Sequence, residues 1–78
     1  MSNNDKTENN LYYNRIILTP KQKEVLGHLA EGLQNKEIAK VMNLSVSTVK
    51  LHVSGILLRM NVRSRTAAVI TAQKAGLI

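Results

Sequence analysis

Helix-start residues stand at Thr19, Ser45 and Ser64, and helix-stop residues at Gly32, Asn43 and Gly76. Punctuation this dense confines the chain to short helices joined by tight turns. Thr19 followed by Pro20 pairs an N-cap with a first helical residue that has no N–H to lose, and Gln22 completes a capping box with Thr19. Val25, Leu26, Leu29 and Ala30 then recur on one helical face, and Gly32 ends the helix. A second, shorter helix has Ile38, Ala39 and Met42 as its apolar face and Asn43 as a left-handed stop. Ser45 caps a third, whose buried stripe is Val49, Val53, Ile56, Leu57 and Met60. Ser64 caps a fourth, with Ala68, Val69, Ala72 and Ala75 inward and Gly76 at its end. No strand alternation competes, so the expected fold is all-α, four helices in one domain.

Composition narrows what such a fold can do. Seventy-eight residues make one small domain, which buries a modest share of its surface. The chain has no cysteine, which removes disulfides, thiolate zinc sites and cysteine nucleophiles. Its only aromatic residues are Tyr12 and Tyr13, too few for the stacking platforms of single-strand binders. Lys and Arg number 11 against 5 Asp and Glu, a net +6 that favours a polyanionic partner. No apolar run approaches the roughly 18 residues of a membrane span, and a cytoplasmic chain is expected. Residues 1–10 are polar and aperiodic and read as a disordered tail. Residues 11–17 read as an approach segment packing onto the domain, which occupies 18–78.

Only Asn43 and Leu44 separate the second helix from the cap of the third. A short helix, a tight turn and a longer helix with a polar outer stripe is the helix-turn-helix layout. That outer stripe is Ser47, Lys50, Leu51 and Ser54, at i, i+3, i+4 and i+7. The major groove admits such a helix and displays a sequence-specific pattern of donors, acceptors and thymine methyls. Residues 36–65 carry Lys36, Lys40, Lys50, Arg59, Arg63 and Arg65 against Glu37 alone, a local +5 where phosphates would lie.

The ordered series LTP (18–20), EVL (24–26), AEG (30–32), NKEIA (35–39), STVKLH (47–52) and VRSR (62–65) resembles the C-terminal DNA-binding domain of LuxR-type (FixJ/NarL-like) bacterial regulators. The likeness spans residues 18 to about 76. It implies a four-helix module that binds duplex DNA as a homodimer and regulates transcription, with 35–42 as scaffold helix and 46–59 as recognition helix. By the same resemblance, base contacts fall on Lys50, Leu51 and Ser54, joined by Ser47 from the stripe above. Phosphate contacts fall on Lys36, Thr48, Arg63 and Arg65. The fourth helix is the family's common dimer contact, which places Ala67, Ile70, Thr71 and Lys74 at the interface. RNA polymerase or a larger homologous regulator are further partners of this reading. Nothing in the chain matches a receiver or ligand-binding domain, so a stand-alone member is expected.

Four positions depart from the family pattern. Gln22 replaces a frequent Glu but keeps the capping box. Gln34 replaces the usual Ser, a weaker cap that Asn35 could take over. Ser54 replaces a frequent Lys or Arg, which removes a long donor able to reach guanine. Leu58 puts an apolar side chain where relatives are polar.

Each residue also has a plainer reading. Lys50 could be a solvated lysine, Leu51 one of the scattered leucines of any surface, and Ser54 an ordinary surface serine. Leu51 is better explained by a thymine methyl, since it lies off the buried stripe. His52 is expected to pack on the domain and His28 to be solvated. Neither has a partner suited to general-base or metal chemistry, so no catalytic residue, metal or cofactor is assigned and an enzyme is not expected. Gly55, costly inside a helix, either permits a close approach to DNA or has no role. Alternative functions are an interaction module that heterodimerises with a larger regulator, and a nonspecific DNA-compacting protein.

Overall fold

The computed structural model describes residues 16–78. The expected tail at 1–10 and positions 11–15 of the approach segment lie outside the described residues. Four helices follow in order, α1 (Pro20–Ala30), α2 (Asn35–Met42), α3 (Val46–Met60) and α4 (Arg65–Lys74), with no strand among the described residues. The fold is all-α.

Each helix begins where its cap chemistry places it. The Thr19 N–H donates to Gln22 Oε1 at 2.9 Å and the Gln22 N–H donates to Thr19 Oγ1 at 3.1 Å, closing the capping box reciprocally. Ser45 Oγ accepts from the Thr48 N–H at 3.0 Å, and Ser64 Oγ from the Ala67 N–H at 3.1 Å. The cap of α2 is Gln34, not Asn35, and the Gln34 N–H donates to Glu37 Oε1 at 2.8 Å. Asn35 is the first helical residue, with its side chain engaged elsewhere.

All four helices end alike. Gly32, Asn43, Asn61 and Gly76 take positive φ of 85°, 56°, 55° and 72°. Their N–H groups donate to Leu29, Lys40, Leu58 and Gln73 carbonyls, three residues back. The next residues, Leu33, Leu44, Val62 and Leu77, donate five residues back, to His28, Ala39, Leu57 and Ala72. This is the Schellman closure, which satisfies carbonyls a helix end would otherwise leave bare. The same four residues pack partly buried against the core, so each helix stop also anchors the chain.

The core is centred on α3, which contacts the three other helices. Its Val49, Val53, Ile56 and Met60 meet Val25, Leu26 and Leu29 of α1, Ile38 and Ala39 of α2, and Ala68 and Ala72 of α4. Ile16 and Leu18 are buried with them and Ile17 between them is exposed, so the end of the approach segment packs as expected. Leu57, Val69 and Ala75 are only half-buried. Ala30 is exposed, against expectation. The centre of the inner face of α1 belongs to Gln22, buried opposite α3, and Ala30 falls a quarter turn away from it. Gly55 explains how a glutamine fits there. A Cβ on residue 55 would lie 2.6 Å from Gln22 Nε2, so the glycine makes room for α1 rather than for DNA.

Candidate nucleic-acid interface

Between α2 and α3 the chain turns through 110° over Asn43, Leu44 and Ser45. That is the angle range of a helix-turn-helix. The left-handed Asn43 makes the turn possible, and Leu44 and Met42 pack beneath it. With Val49, Val53, Ile56 and Met60 buried, the opposite face of α3 is fixed outward: Ser47, Lys50, Leu51 and Ser54 are all exposed. Leu51 is 73% exposed and Leu58, two turns further along the same stripe, is 82% exposed. No single helix among the described residues is long and apolar enough to cross a membrane.

Thr48 has a defined polarity. Its N–H donates to Ser45 Oγ, and the Ser45 hydroxyl donates to Thr48 Oγ1 at 2.9 Å. The Thr48 oxygen is thus an acceptor within the cap, which leaves its own hydrogen to donate outward, as a phosphate oxygen requires. Lys36 in the first turn of α2, Lys40 in its last turn and Arg63 just before α4 are all exposed. The Lys21–Glu24 ion pair at 3.9 Å and the His28 Nδ1–Glu31 Oε1 contact at 2.8 Å both belong to α1 and its end. His28 is therefore partnered and only 20% exposed, not the solvated ring expected, because Glu31, three residues on and still helical in its backbone, stands on the same face. His52 is half-buried, in keeping with packing.

Two arginines are engaged within the fold. Arg59 Nη1 donates to the Ile17 carbonyl at 3.1 Å and holds the approach segment against the end of α3. Arg65, expected at a phosphate, donates from Nη1 to the Leu33 carbonyl at 3.3 Å and from Nη2 to Asn35 Oδ1 at 2.6 Å. Sequence reasoning missed both, since such partners lie 30 to 42 positions away and leave no local pattern.

On α4, Ile70 is 47% exposed and Lys74 is exposed, while Ala67 and Thr71 are half-buried. Ile70 lies at the wall of a groove of about 350 Å³ between α4 and the α1–α2 loop, with Leu29, Leu33, Arg65 and Val69 among its lining. The four residues expected at a dimer contact share one stripe of α4, and Ile70 is the one of them that lines this recess.

Residues 16–72 match the family described as bacterial regulatory proteins, luxR family. The nitrate/nitrite response regulator protein NarP of Escherichia coli (strain K12) is 52% identical over 54 residues, 69% of this chain and 25% of that protein. The uncharacterized transcriptional regulatory protein YhcZ of Bacillus subtilis (strain 168) is 42% identical over 77 residues, 99% of this chain and 35% of that protein. Response regulator protein VraR of Staphylococcus aureus (strain NCTC 8325 / PS 47) is 44% identical over 62 residues, 80% of this chain and 30% of that protein. Among solved structures, the response regulator ChrA of a heme-sensing two-component system superposes with a TM-score of 0.77 at 35% identity, over 80% of this chain and 31% of that one. The chain therefore spans a quarter to about a third of the length of these proteins.

Proposed function

The chain belongs to the luxR family of bacterial regulatory proteins, and on that premise we propose that it is a sequence-specific duplex-DNA-binding transcription regulator acting as a homodimer in the cytoplasm. The observation that carries this reading is the outer face of α3, with Ser47, Lys50, Leu51 and Ser54 exposed together on a helix whose other side is core. In this reading residues 18–78 are the binding module and α3 lies in the major groove. Lys50 donates to a purine edge, Leu51 packs on a thymine methyl, and Ser47 and Ser54 make short polar contacts. Lys36, Thr48 and Arg63 hold phosphates and set the register. Ala67, Ile70, Thr71 and Lys74 meet their counterparts across a two-fold axis, which spaces the half-sites by about one helical turn, ~10 bp.

The test is selection from a random duplex pool with the purified chain at physiological salt. An enriched inverted repeat supports both specificity and the dimer. Salt-dependent retention without enrichment leaves a nonspecific binder, and no retention removes the DNA reading.

A second reading draws on Leu58, 82% exposed, and on the short side chain of Ser54 at a base-reading position. In it the chain heterodimerises through α4 with a larger luxR-type regulator and takes it off its site. Displacement of a purified full-length relative from its own duplex, with no binding of that duplex by this chain, supports this reading over the first.

A further inference from the structure

α2 begins at its N-cap Gln34, whose N–H is held by Glu37 Oε1 at 2.8 Å. Gln34 is not among the side chains that favour an N-cap, and the carboxamide oxygen of Asn35, the next residue, is turned to a helix far along the sequence. Arg65, the first residue of α4, reaches across 30 positions and donates from Nη2 to Asn35 Oδ1 at 2.6 Å. From Nη1 it donates to the Leu33 carbonyl at 3.3 Å. The guanidinium is half-buried and forms part of the wall of the groove that also holds Ile70. A planar fork can hold two acceptors at fixed separation in a way an ammonium cannot. Lys36 follows Asn35 directly and is exposed.

The geometry points to Arg65 as a positioning residue for DNA binding. It fixes the start of α2, and with it Lys36, relative to α4, and does so through Asn35 and Leu33 rather than by touching DNA. The inference rests on the DNA-binding reading above and reassigns one residue within it. It also ties the helix proposed for dimer contact to the helix pair proposed for DNA contact by one side chain.

The experiment compares Arg65→Gln, Arg65→Lys, Asn35→Ala and the double variant Arg65→Gln/Asn35→Ala with the native chain, on a mixed-sequence 30-bp duplex across a salt series. A positioning role predicts that Arg65→Gln and Asn35→Ala each weaken binding about tenfold, as loss of a charge-assisted hydrogen bond would. The double variant is no worse than the single ones, Arg65→Lys does not rescue, and Arg65→Gln and Asn35→Ala change the slope of log affinity on log salt by the same amount, since both act through Lys36. A phosphate ligand behaves otherwise: the slope drops by about 0.9 in Arg65→Gln and Arg65→Lys restores most of it. That result, or an inert Asn35→Ala, overturns the inference. If the native chain binds no duplex, the functional reading fails on its own account. The clamp is then judged from amide NMR spectra of the free variants at a temperature where all are folded. Arg65→Gln and Asn35→Ala must move the same amide resonances at 33–38, and changes confined to α4 in Arg65→Gln overturn it.

Discussion

Lys50 is the one cation on the outer stripe of α3, beside two serines and a leucine. Its loss should therefore be felt in specificity as well as in affinity. Lys50→Ala is expected to weaken binding to the selected site by about 1–3 kcal/mol and to relax one position of it. Repeating the selection with the variant checks this, and an unchanged site sinks the groove assignment. Arg63, exposed in the α3–α4 turn, should behave differently. Arg63→Ala is expected to lower the salt slope by about one with the site preference intact, read by titration across a salt series. Gly55 shows how a residue's meaning depends on its neighbour. In an open helix Gly→Ala gains about 1 kcal/mol, but here the added Cβ would meet Gln22 Nε2 at 2.6 Å. In urea unfolding, Gly55→Ala should gain its full increment only in a Gln22→Ala background. Equal effects in both backgrounds would show that the two side chains do not compete for space.

At the scale of elements, the helices are bounded by their own residues more than by their packing. Thr19, Ser45 and Ser64 were legible as starts, and Gly32, Asn43 and Gly76 as stops, because capping is a contact over three to five residues. The stop at Asn61 was not read, although it repeats the geometry of Asn43. Met60 before it continues the apolar stripe and hides the break. Asn61→Gly should hold stability to within a few tenths of a kcal/mol, whereas Asn61→Val should cost about 1–2 kcal/mol for a branched residue in a left-handed position. Ser45→Ala removes the acceptor of the Thr48 N–H and is expected to cost about 1 kcal/mol, a fall in Tm of roughly 4–8 °C.

The whole molecule is held by a small core in which α3 is shared. Val49, Ile56 and Met60 are fully buried on one side of the helix whose other side is proposed to read DNA. Core substitutions should therefore disturb recognition without touching it. Ile70 stands apart from this core, half-exposed on the wall of the groove. Ile70→Glu should leave Tm nearly unchanged and abolish two-fold assembly on the selected inverted repeat. Sedimentation of the protein–DNA complex would then give one chain per duplex at concentrations that saturate the native dimer. Two chains still bound as a cooperative pair would place the dimer contact elsewhere.

The sequence alone determined the helices, their order, the turn that makes α2 and α3 a pair, and the face α3 turns outward. All of these follow from contacts within a few residues and from a periodicity that repeats along the chain. Tertiary structure decided what no local pattern encodes. It buried Gln22 against Gly55, left Ala30 outside and turned two arginines to acceptors of the chain itself. Arg59 met a carbonyl 42 positions away and Arg65 an amide 30 positions away. Whether a cation faces solvent or the chain's own carbonyls depends on which distant backbone the fold brings within about 3 Å of it. Charge pattern counts cations and cannot place them.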